Sequence, residues 1–217
     1  MELGAGVNVA NITGGTFAGK FNATGGSVTL TSFVTGAGAD TVTHQAGALN
    51  GNINLGDGAN IFTHTGGLIT AALTTGAGAD TLNINSGGNL TGNILTGGGN
   101  DIINLGLTTI TGNIGSAGDL VEEINVGIGG GLTTITGTVW GDGTTVHIFS
   151  GGLNQDGNLN DSVLFEEEAT LNLGAGFSIN GDIDTDTDLQ GTLTFDGTGT
   201  VNGDTGDALL RLKAIDL

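Results

Sequence analysis

The 217-residue sequence contains 45 glycines, no proline, no cysteine and a formal net charge of −19. Only three Lys and Arg accompany 22 Asp and Glu, which argues against nucleic acid as a partner, because phosphate binding needs clusters of basic residues. The lack of cysteine excludes disulfides and zinc–thiolate sites. The aliphatic residues recur at regular places, so the chain is predicted to be ordered in spite of its glycine content.

A five-residue phrase recurs along the chain: an aliphatic residue, Asn or Thr, Gly, a small polar residue and a second aliphatic residue. A first copy reads FAGKF at 17–21, and later copies include LNGNI at 49–53 and ITGNI at 110–114. A period of 20–25 residues indicates a solenoid, in which each repeat forms one coil. The later copies begin at positions 49, 69, 90, 110, 135, 159, 179 and 201.

Glycine-rich segments alternate with these phrases. TGAGADT stands at 35–41 and again at 75–81, and its relatives are LGDGANI at 55–61 and TGGGNDI at 96–102. Glycine adopts positive φ without steric cost, and Asn and Asp tolerate the left-handed region. These segments are therefore predicted to be the corners of the coils.

Short runs rich in Thr, Val, Ile and Leu, bounded by Gly, Asn or Asp, have the composition of β-strands. Helices are not expected, because Gly and Asn interrupt every window. The sequence therefore predicts an all-β fold, a parallel β-helix (β-solenoid) with about 20–25 residues per coil, as a single domain over residues 1–217. The strand-like runs are TLNIN at 81–85, IINL at 102–105, TVHIF at 145–149, TLNL at 170–173 and TLTF at 192–195.

Two interior columns of aliphatic side chains follow from the alignment of the phrases. Residues 22–35 are expected to form an irregular coil, and longer loops are expected near 115–132 and 150–158, where the steps between copies lengthen. The first column comprises Leu49, Ile69, Leu90, Ile110, Ile135, Leu159, Ile179 and Val201. The second comprises Ile53, Leu73, Ile94, Ile114, Val139, Val163 and Ile183.

Calcium binding is the sharpest functional hypothesis, because GAGADT resembles the repeat of calcium-binding β-rolls. The matching position holds Asp40, Asp80 and Asp101 but also the neutral Asn8 and Asn60. Calcium prefers six to eight oxygen ligands with several carboxylates, so structural turning is the favoured interpretation. No cofactor is therefore expected, and calcium is left open.

A second set of calcium candidates lies in DIDTDTD at 182–188, where Asp182, Asp184, Asp186 and Asp188 occupy alternate positions. This segment lacks the central glycine and closing Glu of an EF-hand loop. A solvated acidic strand is the favoured interpretation.

Two further patterns bear on metal binding and catalysis. His44 and His64 occupy equivalent places in adjacent repeats and could share a metal, although a polar ladder is the favoured interpretation. Polysaccharide lyases and hydrolases need paired carboxylates, often with basic partners, but Lys20, Arg211 and Lys213 lie near the two ends. No nucleophile or phosphate-binding motif is present, so the chain is not expected to be an enzyme.

The stretch GAGADTLNINSGGNLTGNILTGGGNDIINL at 76–105 resembles the passenger domains of bacterial autotransporters, the type V secreted proteins. The stretch GTLTFDGTGTVNGDTGDALLRLKAIDL at 191–217 is similar in particular to rickettsial surface cell antigens. The resemblance implies a right-handed β-helical rod on the outer surface of a Gram-negative bacterium. It further implies an adhesin that binds a host-cell protein or glycan receptor, in a longer protein with a signal peptide and a C-terminal β-barrel.

Loops that leave a regular coil commonly carry function. Glu122 and Glu123 in the first long loop, and Asp156 and Asp161 at the second, are therefore candidate binding residues. An exported calcium-binding repeat protein is the main alternative to an adhesin, and a polysaccharide-acting enzyme is a third hypothesis. Exposed terminal coils would favour end-to-end or edge self-association.

Overall fold

A computed structural model describes residues 2–3, 7–13, 18–20, 22–23, 27–85, 87–143, 146–206 and 209–217. The chain forms an all-β parallel solenoid of about 9 turns with roughly 21 residues per turn, which confirms the predicted fold class. Within these ranges the helical content is one 3-10 turn at Ile128–Gly130. In the same ranges, no helix has the length and apolar character needed to span a membrane.

The strands are short because glycine, Asn and Asp interrupt the chain at every corner. In chain order they are β1 (Glu2–Leu3), β2 (Val7–Thr13), β3 (Ala18–Lys20), β4 (Asn22–Ala23), β5 (Ser27–Val34), β6 (Thr41–His44), β7 (Ala48–Asn50), β8 (Ile53–Asn54), β9 (Ile61–His64), β10 (Leu68–Thr70), β11 (Leu73–Thr74), β12 (Thr81–Ile84), β13 (Asn89–Thr91), β14 (Ile94–Leu95), β15 (Ile102–Leu105), β16 (Thr108–Thr111), β17 (Glu123–Val126), β18 (Thr133–Thr136), β19 (Val139–Trp140), β20 (Val146–Ile148), β21 (Leu153–Gln155), β22 (Leu159–Asn160), β23 (Val163–Phe165), β24 (Thr170–Leu173), β25 (Ser178–Ile179), β26 (Ile183–Thr185), β27 (Gln190–Phe195), β28 (Thr200–Val201) and β29 (Leu212–Asp216).

Three stacks of parallel strands form the three faces of the solenoid. The first face runs through β7, β10, β13, β16, β18, β21, β24, β27 and β29. The second face runs from β8 through β11 and β14, and continues through isolated bridges at Ile114 to β19, β22, β25 and β28. The third face runs from β3 to β26 through β6, β9, β12, β15, β17, β20 and β23.

The segment 22–35, expected to be irregular, contains β5, the longest strand among the described residues. Its N-terminal half pairs with β7 on the first face, and Phe33 and Val34 pair with β8 on the second face. Residues 24–26 of this segment, and residues 17 and 21 of the first predicted repeat copy, lie outside the described residues.

Aliphatic side chains from all three faces fill the interior, where nearly all of them are fully buried. Each buried Leu, Ile, Val or Phe side chain contributes about 1.5–3 kcal/mol. Because one coil encloses only a few such side chains, their burial depends on the coils above and below. The third-face column that the sequence analysis did not separate is Val42, Phe62, Leu82, Ile103, Ile124, Val146, Val163 and Ile183.

The predicted columns are correct up to Ile135 and Val139, and the residues predicted after them are displaced by four to six positions. Ile135 pairs with Gln155, and Leu159 continues the second-face column by pairing with Val139. The true copy of the phrase is therefore QDGNL, in which Gln155 replaces the aliphatic residue. The segment 150–158 contains β21, so it belongs to a regular coil and does not form the predicted long loop.

The same error displaced five residues between faces. Leu159, Ile179 and Val201 were predicted on the first face but lie on the second. Val163 and Ile183 were predicted to follow Val139 on the second face, but they pair with each other and with Val146 on the third. The phrase with a central small residue fits two different corners of the coil, so its letters alone do not identify the corner.

Engineered disulfides distinguish the two registers, because the chain has no cysteine of its own. Thr134 and Asn154 pair across β18 and β21, at a spacing of about 4.8 Å that a disulfide spans. We expect Thr134→Cys with Asn154→Cys to oxidise to an intramolecular disulfide, detected by mass spectrometry. Thr134→Cys with Asn158→Cys, the pair implied by the repeat alignment, should remain reduced under the same conditions. Preferential oxidation of the second pair would contradict the observed register.

Candidate functional site

The repeated glycine segment turns the corner between the second and third faces. Gly36 and Gly38 have φ of 101° and 146°, in the left-handed region. A Cβ added at Gly58 would lie 2.3 Å from the carbonyl oxygen of Gly38, and one at Gly78 would lie 2.4 Å from that of Gly58. Glycine is therefore required both by the turn and by the close stacking of successive turns.

The aspartates that end this corner form a ladder of backbone caps. The side chain of Asn60 accepts a hydrogen bond from the backbone N–H of Asp40, at 3.0 Å. Asp80 and Asp101 accept in the same way from the residue one coil earlier, both at 2.8 Å. These side chains are buried and lie one coil apart, so they satisfy the N–H groups at the start of the third face.

Across the described ranges, no group of three or more His, Asp or Glu side chains is placed to hold a metal ion. The calcium candidates Asp182, Asp184 and Asp186 are exposed, and the carboxylate of Asp182 accepts from the N–H of Asp204 at 2.9 Å. Asp188 instead pairs with Arg211 through contacts of 3.2 and 2.9 Å. These hydrogen bonds to Arg211 hold the pKa of Asp188 below its usual value.

Asp101 lies at the last buried Asp position of this ladder. Burial raises its pKa to about 6, against the lowering effect of the hydrogen bond from Asp80 N–H. The charges of Asp80 and Glu122 act in the same direction as burial. The folded chain therefore binds a proton here more tightly than the unfolded chain does.

Glu122 and Glu123 stand at the beginning of β17, next to Asp101. The carboxylate of Glu122 accepts from Asp101 N–H at 2.9 Å, and that of Glu123 accepts from the Asn125 amide at 2.7 Å. Together with Asn100, Asp101, Ile102 and Asp142 they line a shallow acidic cavity of about 310 Å³. They thus continue the acidic corner, and the loop that leaves the coil begins at the other end of β17.

That loop comprises Gly127–Gly131 and contains the Ile128–Gly130 turn. Gly127, Gly129 and Gly130 all have φ between 71° and 77°. A Cβ added at Gly131 would lie 2.5 Å from the backbone nitrogen of Leu107, so the loop packs tightly against the preceding coil. The Oγ1 of Thr133 anchors it by accepting from the N–H of Gly127 at 3.1 Å.

The loop borders an apolar groove, here called the Leu107 groove. Leu107, Ile128 and Leu132 are 55%, 37% and 42% exposed. Two adjoining cavities, of about 320 and 450 Å³, share Leu107 as a lining residue. Their lining residues carry no charge: Asn85, Gly87, Asn89, Leu107, Thr108, Thr109, Ile128, Gly129, Gly130, Gly131, Leu132 and Thr134.

The other two candidate binding residues are not part of this groove. Asp156 is exposed at a corner of a regular coil. Asp161 is buried, its carboxylate accepts from Ser162 N–H at 2.8 Å, and it fills the space above Gly141. The structure therefore does not bring the four acidic candidates together.

Sequence reasoning missed the groove, although a pattern for it exists. LTTITG stands at both 107–112 and 132–137, so Leu107 and Leu132 occupy equivalent positions in adjacent coils. The sequence signal for the groove is therefore this pair of apolar residues and not the acidic residues of the long repeat.

His44 and His64 form a buried pair on the third face, with an Nδ1–Nδ1 distance of 3.0 Å. The Nε2 of His64 lies 3.2 Å from the carbonyl oxygen of Asn89, so this nitrogen carries the proton. His64 Nδ1 is then the acceptor and His44 Nδ1–H the donor, which is a fully neutral arrangement. Burial lowers the pKa of His44 to about 4, and the nearby His64 acts in the same direction.

Comparison of the chain with models of known protein families, with curated proteins and with solved structures found no match.

The buried histidines and Asp101 should give opposite pH dependences. Because burial lowers the pKa of His44 to about 4, the stability that the neutral pair contributes is fully present above pH 6.5. It is lost as the pH falls towards 4. We expect His44→Leu with His64→Leu, which extends the column of Ile84 and Leu105, to remove about 2–3 kcal/mol of acid-induced destabilisation. Urea unfolding at pH 4.5 and 7.5 measures it, and an unchanged pH slope would contradict the assignment.

Asp101→Asn tests the raised carboxyl pKa. The folded-state pKa of Asp101 lies above the ordinary value of 3.8. The buried carboxyl therefore costs folding stability once it ionises, and this loss develops as the pH rises through about 6. Asn retains the acceptor for Asp80 N–H, as Asn60 does for Asp40. We expect the variant to melt higher than the parent at pH 8 and equally near pH 4. An equal difference at both pH values would show that the carboxyl does not titrate as assigned.

Calcium dependence has a direct test. The ladder carboxylates already accept backbone hydrogen bonds, and no described metal-binding group accompanies them. We expect the same melting temperature in excess chelator and in millimolar calcium. A calcium-dependent rise that grows with concentration would instead support the exported calcium-binding alternative.

Proposed function

We propose that this chain is a non-catalytic segment of a bacterial surface adhesin, a rod that presents the Leu107 groove to a receptor on host cells. The resemblance of its repeats to autotransporter passenger domains motivates the class and the extracellular location. The observation that carries the proposal is the Gly127–Gly131 loop, an insertion into the regular coil, which lies beside three exposed apolar side chains.

The groove has the composition of a protein-binding surface. Its centre offers Leu107, Ile128 and Leu132, and its border offers the uncharged polar groups of Asn85, Asn89 and the threonines. Apolar anchors surrounded by polar groups are typical of interface centres. These three side chains are already about half-buried, so a receptor that covers them gains roughly half of the 1.5–3 kcal/mol of full burial from each.

Electrostatics supports the same face. No ionisable residue occurs in β7, β10, β13, β16, β18 or β21, although the chain carries a net charge of −19. An uncharged face approaches an anionic surface with less repulsion than the acidic corner would. The favoured receptor is a protein with a protruding apolar side chain.

Attachment to cultured cells tests this proposal. We expect the fluorescently labelled chain to bind saturably, and Leu107→Ser with Leu132→Ser to weaken binding at least about tenfold. Leu107 and Leu132 are only about half-buried, and neither belongs to the interior columns, so the double variant should melt close to the parent. Leu209→Ser, which changes an even more exposed leucine in the last part of the chain, is the matched control. Equal binding by the groove variant and the control would contradict the proposal.

A further inference from the structure

The second face carries one tryptophan followed by three asparagines at its outward positions. Trp140 pairs with Asn160 across β19 and β22, and Asn180 and Asn202 follow the paired Ile179 and Val201 in the next two coils. Trp140 is half-buried, whereas Asn180 and Asn202 are exposed.

The asparagines form a hydrogen-bonded ladder with unused capacity. The Nδ2 of Asn180 donates to Oδ1 of Asn160 at 2.6 Å, and that of Asn202 donates to Oδ1 of Asn180 at 2.7 Å. A primary amide has two N–H donors and two acceptor lone pairs. Asn180 therefore keeps one donor and one acceptor outside the ladder, the combination that pairs with a hydroxyl group. The ladder holds the amide in place, so little side-chain entropy is lost on binding.

The spacing and surroundings of the ladder favour an uncharged sugar chain. Parallel strands repeat every 4.7–4.9 Å, which is close to the length of one sugar unit in an extended oligosaccharide. Trp140 offers an aromatic surface for the C–H face of a pyranose ring. Asp142, Asp182 and Asp204 each lie two residues beyond a member of this row, so they would repel carboxylated or sulfated sugars.

We propose that Trp140, Asn160, Asn180 and Asn202 form a binding site for an extended, uncharged oligosaccharide. The sugar rings lie along the solenoid axis, with one ring on Trp140 and hydroxyl groups on the successive amides. This site is separate from the Leu107 groove, and it stands whether or not the groove binds host cells.

Trp140 reports on its own site, because it is the only tryptophan and the chain has no tyrosine. The probes are tetrasaccharides of β-linked glucose, β-linked N-acetylglucosamine and α-linked mannose, with tetragalacturonate and tetralysine as charged probes. We expect at least one uncharged tetrasaccharide to change the Trp140 emission saturably, more tightly than its disaccharide. Tetragalacturonate should give no change.

Calorimetry on variants assigns the binding to the ladder. We expect Trp140→Ala and Asn180→Ala each to lower the affinity for the responding sugar at least tenfold. If Asn180→Ala fails to fold, Asn202→Ala at the end of the ladder tests the same contact and should also lower the affinity. The matched control is Asn104→Ala, which removes the middle of an equivalent ladder between Asn83 and Asn125 on the third face and should leave the affinity unchanged.

Three results would overturn this site. They are no response to any uncharged tetrasaccharide, a loss in Asn104→Ala equal to that in Asn180→Ala, and a response to tetralysine alone, which would indicate a cation site. The variant with Leu107→Ser and Leu132→Ser should bind the sugar like the parent. Failure of cell attachment with sugar binding intact would therefore count against the groove and leave this site standing.

Discussion

In-register stacking of consecutive coils is the constraint on which the rest of this molecule depends. On all three faces the strands pair in parallel with their equivalents in the neighbouring coils, and the interior side chains are buried between those coils. The polar groups inside follow the same rule. The side chain of Asp80 caps Asn60, that of Asp101 caps Asp80, and His44 bonds to His64, all between neighbouring coils. Stability is therefore shared between neighbours, as expected for a quasi-one-dimensional repeat protein.

The stacking also determines where the charged side chains lie on the surface. Carboxylates accumulate along the corner where the third face begins, because the backbone N–H groups there donate to a side-chain oxygen from the next coil. The first face stays uncharged from β7 to β21, and the Leu107 groove lies along its border. The acidic corner and the groove lie at opposite ends of β17, so this one strand separates the charge cluster from the exposed apolar surface.

Much of the fold could be predicted from the sequence, because the turns at the corners require glycine and the interior requires aliphatic side chains. The period, the strand class and the columns from Leu49 to Ile135 follow from that pattern. The shift in register after Ile135 could not be predicted from the sequence. Gln155 replaces the aliphatic residue that begins the repeated phrase, and the same phrase also occurs at another corner of the coil. The groove depends on which side chains point outward beside the Gly127–Gly131 loop, and that depends on the register. Glu122 and Glu123 were chosen for their charge, but their carboxylates accept hydrogen bonds within the acidic corner.

The most direct test of the stacked arrangement is a distance measured between spin labels in solution. Thr109 and Thr194 occupy the same outward position of the first face and are linked through Thr134, Asn154 and Asn172. Four steps between strands correspond to a backbone separation of about 19 Å. Cysteine-linked labels at the two positions should give one narrow distribution near that distance, broadened by the label arms. A broad distribution, or a maximum far from it, would contradict the stacking of the coils.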